Sequence, residues 1–427
     1  MSRRAGVLCA LRGPAELAAV RAMGDDPALE VVRRCADLPE LLAGAAAGLG
    51  QVAVVSTELP GLDRDAVNRL HSCGVWVVAV LDGGWSPDRA RLVGVDLAIL
   101  SGEATGTVPA AVRDVLGRAS RGEHPGATAV PSRVAAPAAP AAPAAPAQVS
   151  VEGKVVAVWG PTGAPGRTTV AVNLAAELAG SARRAPELAT LLVDADTYGG
   201  TVAQVLGLLD EAPGIAAAAR AAGTGRLDVA SLAALTPVLE NGLRVLTGMS
   251  RADRWPELPA ASLEVIWSVA RELAAWTVVD CGFAIEQDEA LSYDTRAPRR
   301  NAATLSALSA ADVVVVVGAG DPVGLQRLVR GLGELSGLGL VAHRVVVVNR
   351  VRSSASGPHP AEAVRAALRR YASVADARII GEDQAACDGA TLRARTLAEH
   401  APTSPVRREL AALAAEVLSL SVPVGAH

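Results

Sequence analysis

At 427 residues the chain exceeds one average domain and has room for two or three. Half of it is hydrophobic (51%), yet no apolar run reaches the ~20 residues that a membrane-spanning helix needs. No basic start leads into a signal-like apolar core either, so the expectation is a cytoplasmic protein without a transmembrane segment. A net charge of −4 and a pI near 5.9 give no global attraction to nucleic acid or anionic lipid, although a local basic patch remains compatible with them. The five cysteines, Cys9, Cys35, Cys73, Cys281 and Cys387, form no CxxC pair and no Cys/His cluster, so they read as small core residues in a reducing compartment. Lys154 is the only lysine among 40 basic residues, a bias toward arginine that bears on every cation discussed below.

From residue 5 to about 118, strand-like and helix-like segments alternate. Strands are expected at Val7 to Leu11, Leu29 to Arg33, Val52 to Ser56, Val75 to Leu81 and Leu97 to Leu100, with helices between them such as Pro14 to Met23 and Leu38 to Ala47. Such alternation predicts a parallel sheet flanked by helices. The third strand runs into VVSTELPGLD, which resembles the V-V-D-x-x-L-P-G-x-D signature of response-regulator receiver domains, with Ser56 at the phosphoacceptor position. The acidic pair after the first strand is replaced by Leu11-Arg12-Gly13, and no lysine ends the fifth strand at Leu100-Ser101. Without the acids there is no magnesium site, so residues 1–118 read as a degenerate receiver-like (flavodoxin-like) domain kept for docking or dimerisation; a plain structural α/β module is the alternative.

Composition then changes over 119–152. Residues 134–147, VAAPAAPAAPAAPA, have nothing to bury and are expected to run extended as a semi-rigid tether. The remainder, 153–427, opens on KVVAVWGPTGAPGRTT, an apolar strand breaking into the glycine-bearing loop Gly160 to Gly166 before a helix-like VAVNLAAELA. Strand, loop and helix in this order bring backbone N–H groups onto phosphate oxygens beside a cation and a hydroxyl. Gly163 and Gly166 permit the close approach, Thr168 takes the magnesium-ligand place and Arg167 stands where a loop lysine normally stands. Against G-x-x-x-x-G-K-[ST] the first glycine falls on Pro161, and Pro165 withdraws one N–H from the cradle. A tight strand-to-helix turn with no ligand is the plain alternative.

Two further strands end in residues of matching chemistry. Thr190 to Val193 leads into Asp194-Ala195-Asp196, placing carboxylates at a strand's C-terminal end, where ligands sit in open α/β sheets. Trp276 to Asp280, WTVVD, is a hydrophobic strand ending in an acid that can hold magnesium through water. A strand is also expected at Arg244 to Gly248, and fully apolar strands of the parallel type lie within DVVVVVGAGDPVGLQRL (312–328) and HRVVVVNRV (343–351). Each signal is weak alone; their order and spacing suit one nucleotide site.

Taken together, GPTGAPGRTTVAVNLA, LLVDADTYGGTVAQVLGL, VVDCG, DPVGLQRL, VVVVNRV and the closing IIGEDQAACDGATLRARTLAEHAPTSPVRREL resemble the MinD/ParA group of P-loop ATPases, and the preceding receiver-like remnant points to its CpaE/TadZ branch. The resemblance implies α/β architecture with a mostly parallel sheet flanked by helices in the P-loop NTPase domain, ATP and Mg2+ as cofactors, and a homodimer through the ATPase domain. On it, Gly163, Ala164, Gly166, Arg167, Thr168 and Thr169 fall on the phosphate loop, Asp194 precedes the switch aspartate Asp196, Asp280 is the second magnesium-side residue beside Thr168, and Asn349 is the residue touching adenine. Arg167 and Asp196 would carry hydrolysis. The family's signature lysine, which crosses to the partner's phosphates, is Thr162 here, so both loop lysines are absent, and arginine is not a conservative exchange at a catalytic phosphate. Nucleotide binding is therefore expected to survive better than turnover.

The implied role is a spatial regulator positioning septum or Tad pilus/secretion machinery, with protein partners from that machinery and recruitment to a pole or septum. A catalytically inactive scaffold and a DNA-partitioning ATPase are the alternatives, the latter disfavoured by the acidic pI. Arg299-Arg300, after the acidic stretch Glu286 to Asp294, read as a solvated loop rather than a phosphate, DNA or partner contact. The amphipathic helix from Arg407 to Leu420 is expected to pack on its own domain, and the six histidines show no metal spacing.

Overall fold

The computed structural model describes residues 4–12, 14–82, 84–101, 104–126, 152–182, 189–208, 214–287 and 299–420. The proline-alanine repeat, residues 288–294 of the acidic stretch and the final SVPVGAH lie outside them. The chain divides into two compact units, Met1–Val149 with Ala221–Arg226, and Ser150–Arg220 with Leu227–His427.

In the first unit the strands β1 (Ala5–Ala10), β2 (Leu29–Arg34), β3 (Val52–Ser56), β4 (Trp76–Leu81) and β5 (Leu97–Leu100) form one parallel sheet in the order β2-β1-β3-β4-β5. That is the strand order of flavodoxin-like doubly wound folds. β3 and β4 are buried along their whole length, which is why both read as unbroken apolar runs. The helix Leu38–Ala46 starts on Asp37, whose side chain accepts the Glu40 N–H, and the helix Arg64–Ser72 starts in the same way on Asp63 and Ala66. At the end of β3, Ser56 is buried, its hydroxyl reaching Asp82 Oδ2 at 3.4 Å and accepting the Glu58 N–H at 3.1 Å.

The second unit is a seven-stranded sheet. Its strands are β6 (Lys154–Trp159), β7 (Thr190–Ala195), β8 (Arg244–Leu246), β9 (Trp276–Cys281), β10 (Val313–Ala319), β11 (His343–Val351) and β12 (Ala377–Gly381), in the order β12-β11-β10-β6-β9-β7-β8. Every pairing between neighbours is parallel. β6 lies at the centre, and the ends of β6, β9 and β7 therefore meet along one edge. Sequence reading places all of these strands except β12, whose residues alternate between buried and accessible at the sheet's edge. The closing helix Pro405–Leu420 does pack on its own unit: Leu410, Leu413 and Val417 are buried in the core, and Arg407 makes a bidentate pair with Glu177 at 2.7 and 2.8 Å.

The single lysine has a structural task at the other end of the sheet. Lys154 Nζ lies 3.1 Å from Asp312 Oδ1, Arg271 Nη1 lies 2.7 Å from Oδ2, and the Val155 N–H donates to the same Oδ2 at 2.9 Å. Burial raises the Asp312 pKa, but the Val155 N–H, Arg271 and Lys154 outweigh it and hold the carboxyl below its ordinary value. Asp312→Ala leaves the Arg271 guanidinium without this partner and is expected to destabilise the protein by about 2 kcal/mol, read as a shift in the urea midpoint.

Candidate functional site

Three strand ends and one helix start build the site. β6 stops at Trp159, whose indole N–H donates to the Phe283 carbonyl at 3.1 Å, and the chain turns through residues 160–166. The Ala164 N–H closes a turn on the Pro161 carbonyl at 3.0 Å, while Gly163 (φ 70°) and Gly166 (φ 87°) take left-handed conformations that other residues adopt only at a cost. The helix Arg167–Ala182 follows, and its first backbone bond runs from the Val170 N–H to the Gly166 carbonyl at 2.9 Å. The N–H groups ahead of Val170, including those of Arg167, Thr168 and Thr169, thus have no intrahelical acceptor, the arrangement by which a helix start can receive an anion.

Beneath that helix start sits a carboxyl in an unusual setting. β6 pairs with β9 so that Val158 stands opposite Asp280, and this register sets the acid beside the loop. Thr168 Oγ1 donates to Asp280 Oδ2 at 2.6 Å, whereas Asp280 Oδ1 is buried and has no hydrogen-bond partner. A buried carboxylate oxygen without a partner is costly, and here burial, the Asp194 charge and lesser effects raise the Asp280 pKa well above the ordinary value despite the Thr168 bond. A threonine hydroxyl and a carboxylate are hard oxygen donors suited to magnesium, which completes its octahedron with water and phosphate oxygens rather than with a protein cage. Among the described residues there is no group of three or more His, Cys, Asp or Glu able to hold a metal ion. The residues present fit the ion.

Asp194 and Asp196 are both buried but are differently engaged. Asp194 Oδ1 accepts the Asp196 N–H at 3.2 Å and Oδ2 accepts the Val202 N–H at 3.1 Å, so both oxygens hold the turn that follows β7. Asp196 Oδ1 accepts the N–H groups of Tyr198 (2.9 Å) and Gly199 (3.3 Å), and Oδ2 lies 3.6 Å from Arg167 Nη2. Arg167 also donates to the Gly160 and Pro161 carbonyls at 3.3 and 3.5 Å, bridging the loop to the Asp196 turn; its Nε is buried without an acceptor.

Arg300 departs from the solvated loop expected of it. Its two terminal nitrogens donate to Thr197 Oγ1 at 2.7 Å and to the Thr197 carbonyl at 3.0 Å, and its guanidinium lies 3.7 Å from the Tyr198 ring centroid and 5.5 Å from that of Trp255. Tyr198 donates its hydroxyl to Asn301 Oδ1 at 2.8 Å and packs on Phe283 with ring centroids 4.7 Å apart. Arg300 thus fastens the Asp196 turn to the chain beyond β9 through hydrogen bonds and cation–π contact. Sequence reading named Arg300 without this task and missed Thr197, Tyr198 and Asn301, whose partners lie about a hundred residues away and leave no local signal.

On the other side of the loop, β11 loses its regular register on β12 between Val348 and Val351, with Arg350 at φ 53°. This irregularity presents Asn349 to the loop: Nδ2 donates to the Pro165 carbonyl at 3.1 Å and Oδ1 accepts the Arg350 N–H at 2.9 Å. Asn349 also walls a cleft of about 100 Å³ shared with Gly166, Thr169, Glu382, Asp383 and Cys387. Of the residues singled out in the sequence, Gly163, Ala164, Gly166, Arg167, Thr168, Thr169, Asp194, Asp196, Asp280 and Asn349 therefore gather around one loop.

The second unit has an α/β P-loop fold of the ParA kind. It is similar to the ParA family ATPase from Chlorobium tepidum TLS at 16% identity, with 62% of this chain and 99% of that chain covered and a TM-score of 0.51. Also similar are the cell division ATPase MinD of Pyrococcus furiosus (19% identity, 63% of this chain and 100% of that chain, TM-score 0.49) and the septum site-determining protein MinD complexed with Mg-ADP from Pyrococcus horikoshii OT3 (18%, 62% and 95%, 0.47). No family model matches the chain, and no curated protein matches it. Among the described residues no helix is long and apolar enough to cross a membrane.

Burial chiefly, with the Asp196 charge adding to it, pushes the Asp194 pKa up to about 7 against the lowering effect of the Val202 and Asp196 N–H groups. An unfolded chain releases this proton near the ordinary 3.8 whereas the folded chain holds it to about 7, so between those values the folded state binds more protons and stability falls as pH rises. Melting temperature in the absence of ligand is expected to decline from pH 5 to pH 7, and Asp194→Asn to reduce that slope while lowering stability throughout, because one of its two acceptor oxygens is lost.

Proposed function

We infer that the second unit binds ATP with magnesium and acts as a nucleotide-dependent positioning protein of the MinD/ParA kind. The observation that carries this reading is the pair formed by Thr168 and Asp280: a hydroxyl and a buried, half-unpartnered carboxyl under a glycine loop and a helix start. A merely structural strand-to-helix turn has no use for an acid kept there against the cost of burial. Thr168 and Asp280 hold magnesium, the loop amides and Arg167 hold the phosphates, and Asn349 with its cleft receives the base. Magnesium, when bound, neutralises charge on the phosphate oxygens. Asp196 orients the water that attacks the terminal phosphorus, the bond to the bridging oxygen breaks, and ADP and phosphate leave. The finer assignment is to the CpaE/TadZ branch, with a homodimer formed through this unit and septum or pilus/secretion machinery as partner. It is supported by the first unit's β2-β1-β3-β4-β5 sheet, which suits a receiver-like module whose phosphoacceptor place is a buried serine.

A second reading, an ATP-loaded scaffold with little turnover, draws on Arg167. Its guanidinium is engaged with two loop carbonyls and Asp196, so it reaches a transferring phosphate only by giving up those bonds. Calorimetry with Mg-ATP, followed by phosphate release on the same samples, separates the readings. Wild type is expected to bind, Thr168→Ala to lose at least about tenfold in magnesium-dependent affinity, and Arg167→Ala to lose turnover more than binding. Binding without release establishes the scaffold, and no binding in wild type removes the nucleotide reading. Steeply salt-dependent DNA binding would instead favour partitioning.

A further inference from the structure

The loop lacks lysine at both expected places, and Arg167 turns inward. A second cation nevertheless lies on the loop, contributed by an element remote in sequence. The helix Pro322–Gly337 starts on Asp321, whose side chain accepts the Gly324 N–H at 3.0 Å, and it runs beside the phosphate loop. Gly331 lets it come close: a Cβ there would stand 3.1 Å from Pro161 Cβ and 3.2 Å from the Trp159 ring. One turn earlier on the same helix face is Arg327. Its side chain lies across Gly163, with Cζ 3.1 Å and Cδ 3.8 Å from where a Gly163 Cβ would be and with Nη1 closer still. Arg327 is exposed, and its guanidinium makes no hydrogen bond or ion pair among the described residues. The other arginine exposed on this helix, Arg330, is paired with Glu334 at 2.8 Å.

We propose that Arg327 is a phosphate-binding residue of the nucleotide site, supplying from the helix after β10 a cation to a loop that carries no lysine. The assignment rests on the ATP reading above. An unpaired guanidinium has five donors in a planar fork that matches phosphate oxygens two at a time, and here its stem is already laid over the glycine that gives the loop its close approach. Gly163 and Gly331 act together in this arrangement, since a side chain at either would displace the arginine or the helix that bears it.

The test is Mg-ATP binding to the full chain by calorimetry at two salt concentrations, comparing wild type with Arg327→Gln, Arg327→Lys and, as a control on the same helix, Arg330→Ala. Arg327→Gln is expected to weaken binding about tenfold or more, the loss of one charge-assisted contact, and to flatten the salt dependence. Arg327→Lys should recover part of the affinity, and Arg330→Ala should match wild type. Thermal melts superimposable on wild type show that the variants fold. Unchanged affinity in Arg327→Gln overturns the assignment and leaves the nucleotide reading standing; a wild-type chain that binds no Mg-ATP overturns both.

Discussion

The register of β6 on β9 is the constraint on which the site depends. Both strands are parallel, buried on both faces and central, so neither slides without exposing an entire row of side chains. With Val158 fixed opposite Asp280, the acid stands where the chain leaves β6, and a loop of seven residues brings Thr168 back over it within hydrogen-bond reach. β7, paired to the other edge of β9 with Asp194 opposite Asp280, then adds its own carboxylates to the same edge. Three acids thus crowd into a buried region. Burial and mutual repulsion raise the pKa of Asp194 and Asp280, and a divalent cation beside them would relieve the repulsion.

Arginine solves the loop's charge problem in a way lysine would not. A lysine is a point charge that swings toward phosphate, whereas Arg167 is long and planar enough to bond two loop carbonyls and approach Asp196 at once. The Asp196 turn is held a second time from its far side, by Arg300 on Thr197 and Tyr198. The segment bearing the aspartate that would orient water is therefore clasped between two guanidinium groups, and its movement requires both contacts to rearrange. On the nucleotide reading proposed above, a ligand that rearranges these contacts would move this segment.

Much of this was legible in sequence because parallel strands buried on both faces are written as plain apolar runs: VVAVW, TLLV, WTVVD, VVVVV and the strands of the first unit all stand at or within two residues of where they were expected. β12 was not legible, since an edge strand of five residues with accessible Arg378 and Ile379 has neither the length nor the continuous burial that marks its neighbours. The places of the loop, Thr168, Asp196 and Asp280 were legible because each directly follows or ends an apolar strand or a glycine turn; the roles given to them belong to the function proposed above.

What the sequence by itself determined is the order of the elements and the residue types at their ends, because burial demands apolar runs and a tight turn from strand to helix demands glycine where the backbone is left-handed. Only the tertiary structure decided what those side chains do. It turned Asp194 into the brace of a turn, made Arg300 a clasp instead of a solvated charge, gave Lys154 to Asp312 and laid Arg327 on Gly163. Each of these depends on the meeting of residues far apart in the chain, and sheet order and helix approach, not local pattern, bring them together.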